Sequence, residues 1–327
     1  MKRRTFTHAV LAGSAGSLLP AVAAAQTSWP TKPVRFIVPY AAGGQPDLTA
    51  RALAGRLGER LGQPVVVDNR PGAGGTVAYN ALVQTQPNDG HSFIVSDTAM
   101  VSINPLISKT APNYKIGRDI LPVALIGRAA LFLVAHPKTG VNNLQQFVAT
   151  VRRRPGEFTY ASSGIGSFHH LTMEALKAAL GLDIRHVPFK GSSQSTPALL
   201  GGQVDFSISA LPSVAQFVQQ GQLRLLGVNS PERSKLAPDV PPLADLVPGF
   251  DLAPMIAVLA GPGAPQVAID RISKDLIEII KLPDVVKGLT GAAVEPTPGG
   301  PVEITREMNR EVEAMAKAAQ AAKIQPE

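Results

Sequence analysis

Two stretches of this chain repeat one pattern, and the repeat limits the possible folds more than any other feature. "FIVPYAAGGQPDLTARAL", residues 36 to 53, runs from an apolar segment through a small, glycine-rich turn into a helical pattern. "FTYASSGIGSFHHLTMEAL", residues 158 to 176, does the same. After each helix come a glycine and a second apolar strand, "GQPVVVDNRPG" from Gly62 and "GLDIRHVPFKG" from Gly181. A shorter helical segment follows, over 75–86 in one half and 193–200 in the other. Each half then reaches a third strand, "DGHSFIVSDT" from Asp89 and "GGQVDFSIS" from Gly201. Both halves read βαβαβ. Strands alternating with helices at this spacing predict parallel sheets covered on both faces, an α/β fold. Right-handed crossovers place the strand-to-helix turns of each half along one sheet edge, which is where open α/β sheets take their ligands.

The rest of the chain fits around these two halves. From Arg271 to Lys323, "RISKDLIEIIK" and "EITREMNREVEAMAKAAQAAK" carry apolar residues at helical spacing, and this tail is expected to pack back on the first half. A chain that leaves one lobe and returns to it crosses twice. "LPVALIGRAALFLVAHP" and "LAPMIAVLAGPGAP" are the candidate crossings, which together make a two-segment hinge. The expected organisation is residues 26–124 plus 250–327 as the first lobe and 125–249 as the second.

Residues 1–25 read as an export signal. Lys2, Arg3 and Arg4 precede a weakly apolar stretch that ends in Ala23-Ala24-Ala25, an A-x-A cleavage pattern. "RRTF" also resembles a twin-arginine signal, the alternative being an ordinary secretory one. Beyond Ala25 there is no apolar run of the ~20 residues that a bilayer crossing requires. The chain has no cysteine, so thiol catalysis, disulfides and cysteine-ligated zinc are excluded. Removing residues 1–25 takes away three cationic residues and no acid, leaving 28 Lys+Arg against 24 Asp+Glu and a mild net charge of +4. Aromatics are 5% and the one tight basic cluster is Arg152-Arg153-Arg154, which argues against nucleic-acid binding.

An anion is the natural guest of these turns. The first amides of a helix lack intrahelical partners and sit at the positive end of its dipole, and glycine lets a ligand come close to the backbone. Phosphate signatures are incomplete: Gly43-Gly44 is not followed by GK[ST], "GIGSFH" lacks a third glycine, and "RPGAGGT" fails as well. A carboxylate needs neither motif. The competing reading is a pair of tight βα turns that hold nothing. Asp47 reads most simply as an N-cap, with contact to a ligand amine as a secondary role. Ser162, Ser163 and Ser167 read either as hydroxyl donors to a carboxylate or as turn and cap residues.

Catalytic constellations are poor. No G-x-S-x-G elbow surrounds Ser162 or Ser163. His170 and Glu174 stand four apart without a third metal ligand at a telling spacing. Adjacent histidines point to different sides of a helix, so His170 reads as a packed structural residue and His169 as the one facing the cleft. No cofactor, metal or catalytic residue is assigned. A periplasmic enzyme acting on a carboxylate, with one of these histidines as base, is the alternative function, and a pure interaction protein is the third.

"WPTKPVRFIVPYAAGGQPDLTARALAGRLGERLGQPVVVDNRPGAGGTVA", with "YASSGIGSFHHL", "HVPFKGSS", "LLGGQVDF" and "PERSKLAPDVPPLADLVPG", resembles the Bug/TctC family. These are the periplasmic solute-binding proteins of tripartite tricarboxylate transporters. The resemblance implies a type II periplasmic binding protein fold, with two βαβ-type domains closing on a small organic anion such as a mono- or dicarboxylate. It also implies delivery to transporter membrane subunits or a sensor domain, and a monomer suits that mechanism. Carried over, the first turn contributes Tyr40, Ala42, Gly43, Gly44, Gln45 and Asp47, and the third-strand exit contributes Ser96 and Thr98. The second-lobe clamp is Ala161, Ser162, Ser163, Gly164, Gly166 and Ser167, with His169 beside it. Lys190, Gly191, Asp205 and Ser209 are expected close to the pocket. Ser209-Ala210 stands where members often carry an Asp-Asn-like pair, which weakens an acidic amino-acid reading. Gln45-Pro46 and Phe168-His169 are the candidates for selectivity.

Overall fold

The computed structural model describes residues 29–84 and 89–326, and the export-signal reading falls outside them. In the first half, β-branched and aromatic residues form β1 (Val34–Val38), the turn opens α1 (Gln45–Leu61), and Gly62 stops that helix at φ 69°. β2 (Val65–Asn69), α2 (Thr76–Val83) and β3 (Ser92–Asp97) complete the unit. β1 lies between β2 and β3 and pairs in parallel with both, as the alternation predicts. Two single-turn helices, α3 (Ala99–Ser102) and α4 (Asn104–Ile107), lead to β4 (Leu121–Arg128).

β5 (Leu131–Ala135) and α5 (Leu144–Arg153) open the second half. β6 (Thr159–Ser162), α6 (Phe168–Leu180), β7 (Arg185–Pro188), α7 (Ser192–Leu200) and β8 (Phe206–Ala210) then repeat the first unit, with β6 parallel to both β7 and β8. α8 (Leu211–Gln219) and β9 (Arg224–Val228) follow. The chain returns through β10 (Met255–Ala260), α9 (Gln266–Ile279), α10 (Pro283–Gly291), β11 (Glu295–Gly299) and α11 (Pro301–Ala321). Two sheets result, β11-β4-β10-β3-β1-β2 and β7-β6-β8-β5-β9. The fold is α/β and two-lobed.

Each sheet is covered on both faces. Phe36, Phe93 and Val258 meet Leu53 of α1 and Ile272 of α9 on one face of the first sheet, while Ile37 and Ile94 meet Leu82 of α2 and Met308 of α11 on the other. In the second sheet Tyr160 and Phe206 pack on Phe147 of α5 and Leu176 of α6, and Phe132 packs on the side of α7 and α8.

The chain crosses between sheets at Ala129-Ala130 and again over 229–254. β4 therefore belongs whole to the first sheet, and the expected boundary at 124/125 falls inside it. Asn229 pins the two crossings together, because its Oδ1 accepts from Leu131 N at 2.8 Å and its Nδ2 donates to Leu252 O at 2.8 Å. The tail departs from expectation. Ile304 and Met308 do join the first lobe, but Met315, Ala318 and Ala319 of the same helix pack in the core of the second. α11 is long enough to span both bodies, and its apolar stripe does not end at the lobe boundary.

Candidate functional site

The carboxyl ends of β1, β3 and β6 carry the residues of interest, and the second-lobe turn is the more completely built. Gly164 (φ 134°) and Gly166 (φ 75°) occupy backbone conformations that side chains disfavour. Ser167 caps α6, accepting from His170 N at 3.2 Å while its hydroxyl donates to Gly164 O at 2.8 Å. The amides of Phe168 and His169, the first two of α6, have no acceptor within the helix. The turn thus leaves the first amides of the helix open while its serines hold its own shape. Ser162 Oγ accepts from Gly164 N at 3.1 Å and lies 2.7 Å from His186 Nε2. Ser163 Oγ lies 2.7 Å from His169 Nδ1.

The packed, structural reading of His170 agrees with this geometry. His170 is 5% exposed, its Nδ1 accepts from Gly166 N at 3.0 Å, and its ring stacks on His186 with centroids 4.0 Å apart. His169 instead holds Ser163 with one nitrogen, while its Nε2 is sealed from water and has no partner among the described residues. Burial pushes His169 down to about 4 and, with the charges of His170 and Lys177, His186 down to about 3. Burial also lowers His170. All three are neutral imidazoles at pH 7. Glu174 joins Tyr160 OH (2.5 Å) and Lys177 Nζ (2.6 Å) rather than His170, and the described residues contain no group of three metal ligands.

The first-lobe turn differs from expectation in three respects. Gly44, not Asp47, is the N-cap of α1. Asp47 stands three residues in, 1% exposed, and its carboxylate accepts from Gly43 N (2.8 Å), Arg51 Nε (3.0 Å) and Asn69 Nδ2 (3.0 Å). Burial opposes its ionisation, yet these bonds outweigh it and hold the carboxyl below its ordinary value. Asp47 has no free edge for a ligand amine. Gln45, expected to select, donates instead to Ala292 O at 2.9 Å, a tertiary contact invisible in local sequence. Pro46 removes a further amide, and Gly43 N and Gly44 N already donate to Asp47 and Ala41 O.

Tyr40 points to a residue the sequence reading passed over. Its OH donates to both oxygens of Asp97, at 2.8 and 2.9 Å, and Asp97 Oδ1 also accepts from Ala99 N, the first amide of α3, at 3.1 Å. Burial raises both pKa values; the charge and hydrogen bond of Asp97 add to the rise of Tyr40, whereas the hydrogen bonds from Tyr40 and Ala99 N oppose that of Asp97. The flanking Ser96 and Thr98 are each 1% exposed. The Thr98 hydroxyl donates to Glu311 of α11, whose carboxyl burial pushes up to about 7. Asp97 lay within the "SDT" strand exit, and only its pairing with a turn 57 residues earlier distinguishes it.

The two turns are mechanically connected. Asp97 accepts from the first amide of α3, α3 leads to α4, and Ile107 of α4 sits against Gly166, where any Cβ would overlap it. Three expected residues do not join the site through their side chains. Ala161 is core, 0% exposed against Phe132 and Leu199. Asp205 precedes β8, at the opposite end from the turns, and its carboxylate is taken by Thr159 N (2.8 Å) and Lys138 Nζ (3.1 Å). Lys190 is exposed, its amide donating to Gln194 Oε1 at 3.2 Å. Gly191 N donates to Ser163 O at 3.1 Å, supporting the clamp from behind. Ser209, 6% exposed at the carboxyl end of β8, shares a 2.8 Å hydrogen bond with Ser207. A separate apolar groove of about 470 Å³ between α6, α11 and 247–252 contains none of these residues.

Known proteins match this arrangement. The model of the tripartite tricarboxylate transporter family receptor, TctC, matches residues 49–321. Protein BugT of Bordetella pertussis is 34% identical over 271 residues, 82% of each chain. The adipate-bound R. palustris Rpa4515 has a TM-score of 0.75 and 31% identity, covering 91% of this chain and 100% of its own. The malate-bound MatC (Rpa3494) of Rhodopseudomonas palustris has a TM-score of 0.69 and 26% identity, covering 89% and 100%. With the family model matching most of the chain and both lobes present, the protein belongs to the TctC family of periplasmic tripartite tricarboxylate transporter receptors.

Proposed function

We propose that this chain captures a small organic carboxylate between its lobes and closes on it. The observation that carries the reading is the second-lobe turn: Gly164 and Gly166 bare the backbone, the first two amides of α6 lack acceptors within the helix, and His169 Nε2 is buried without a partner among the described residues. A carboxylate at the start of α6 meets the positive end of the helix and its unpaired N–H groups. The relatives bound to adipate and malate support the same ligand class. We take residues up to 128 and from 255 onward as the first lobe and 131–228 as the second, with Asn229 holding the crossings in register. Contacts to both lobes favour the closed form by the ligand's differential affinity for it. Membrane subunits of a transporter, or a sensor domain, then read the closed surface of a monomer in the periplasm.

One observation favours a second reading, since Ser163 and His169 form the serine–histidine pair that the sequence did not reveal. His169 is nonetheless a weak base at about 4, and no acid among the described residues orients its far nitrogen. The test is a thermal-shift screen of protein lacking residues 1–25, refolded to strip bound ligand, against mono-, di- and tricarboxylates. A ligand at a hundredfold excess over Kd adds about 2.7 kcal/mol to the stability. A selective rise in Tm that is lost in Gly164→Leu supports capture. No rise with any carboxylate from a folded protein refutes it, and hydrolysis of activated esters abolished by Ser163→Ala would establish the enzyme instead.

A further inference from the structure

We propose that Asp97 determines specificity, and that the ligand is a carboxylate whose carbon skeleton also bears a hydrogen-bond donor, an ammonium or a hydroxyl, received by this residue. The proposal rests on the capture reading and narrows its ligand class.

The charge inventory of the site comes first. A carboxylate that is held by backbone amides needs no cation, and the named positions supply almost none: Lys190 is exposed, and the histidines are neutral. The acid is better placed. Asp97 stands at the carboxyl end of β3, with Tyr40 of the first turn holding both its oxygens. Tyr40 is 36% exposed and Asp97 is partly exposed, whereas Ser96 and Thr98 on either side are sealed, so the pair opens outward at the ligand edge.

Asp97 also has unused capacity. An ionised carboxylate offers about four acceptor positions, and within the chain Asp97 receives one phenolic hydroxyl and one amide. No lysine, arginine or histidine forms an ion pair with it among the described residues. The next acid, Glu311, offers no counter-charge, since burial pushes its carboxyl up to about 7. A partly exposed carboxylate in this position favours a donor, and most of all a cationic one, because charge-assisted hydrogen bonds are roughly twice as strong as neutral ones. It disfavours a second carboxylate at the same spot, which would face it without a counter-ion. The second lobe has no equivalent group, since β8 ends in Ser209-Ala210.

The experiment is calorimetric titration of the refolded protein with matched triplets that differ only in the substituent on carbon 2: propionate, lactate and alanine; succinate, malate and aspartate; adipate, 2-hydroxyadipate and 2-aminoadipate. The expected result is binding at least about tenfold tighter for the hydroxy or amino member of the accommodated length than for its unsubstituted parent. The amino and hydroxy arms distinguish the two donors. Asp97→Asn, which keeps an oxygen for Tyr40 and Ala99, is expected to erase the preference while leaving the parent acid bound as well or better. Tyr40→Phe removes the hydroxyl that holds both oxygens of Asp97 and is expected to change the size of the preference within the accommodated triplet, so it serves should Asp97→Asn fail to fold. Equal affinity within every triplet, or a preference unchanged in Asp97→Asn, overturns the proposal while leaving carboxylate capture standing. Binding of no member, and of no other carboxylate, overturns both.

Discussion

Glu311→Gln is expected to make the protein more stable above neutral pH and to change its stability little near pH 4.5. Glu311 is 8% exposed on α11, and Thr98 Oγ1 donates to it from the exit of β3. Burial is the largest influence on its carboxyl. Hydrogen bonds from Ser102 and Thr98 oppose it, Asp97 reinforces it, and the outcome is about 7 against an ordinary 4.5. The folded protein therefore keeps this proton through a range in which the unfolded chain has lost it. Stability then falls as pH rises from about 4.5 to about 7 and is flat beyond, because the native state binds more protons across that window. At 1.36 kcal/mol per factor of ten, the interval amounts to about 3 kcal/mol. Glutamine keeps the shape and carries no charge, so it removes the penalty. Urea unfolding of both proteins at several pH values between 4.5 and 8 gives the difference directly from the midpoints, provided the slopes agree. Other titrating groups cancel in that difference. A variant whose advantage does not grow between pH 5 and 7, or a wild type that gains on the variant there, would refute the reasoning.

Three further outcomes follow from the geometry. Gly166→Ala places a methyl at φ 75° against Ile107, and is expected to cost about 1–3 kcal/mol; adding Ile107→Ala should restore the steric part only, as read by thermal melts of the single and double variants. With their folded pKa values depressed, His169 and His186 hold stability that is present above the ordinary histidine value of 6.5 and is lost as pH falls toward about 4 and 3, so NMR titration should find both imidazoles neutral at pH 5.5. Asn229→Ala strands Leu131 N and Leu252 O at the crossings, with an expected loss of about 2–4 kcal/mol by chemical unfolding.

The repeated unit was legible because it is written in local pattern: the switch from alternating to helical period, and the glycines that end α1 and α6. β11 was not, since "EPTPG" carries two prolines and becomes a strand only as an edge partner of β4. The apolar stripe of α11 was readable, but its partners were not, because periodicity says which face is buried and not against what. The same limit explains the site. Gly164, Gly166 and Ser167 have local reasons to be where they are, so the shape of this turn emerged from sequence. Asp47 and Gln45 looked available for a ligand until Arg51, Asn69 and the distant Ala292 took up their polar atoms. Glu311 reads as one more solvated position in "NREVEAMAK", and only the folding of that helix against Thr98 buries it.

The account stands most directly on whether a carboxylate draws the lobes together. Small-angle X-ray scattering of the refolded protein, without ligand and at saturation with the tightest carboxylate, measures this in solution. The expected result is a fall in radius of gyration that saturates at one ligand per chain and is absent in Gly164→Leu. Saturable binding with an unchanged radius would contradict capture by closure.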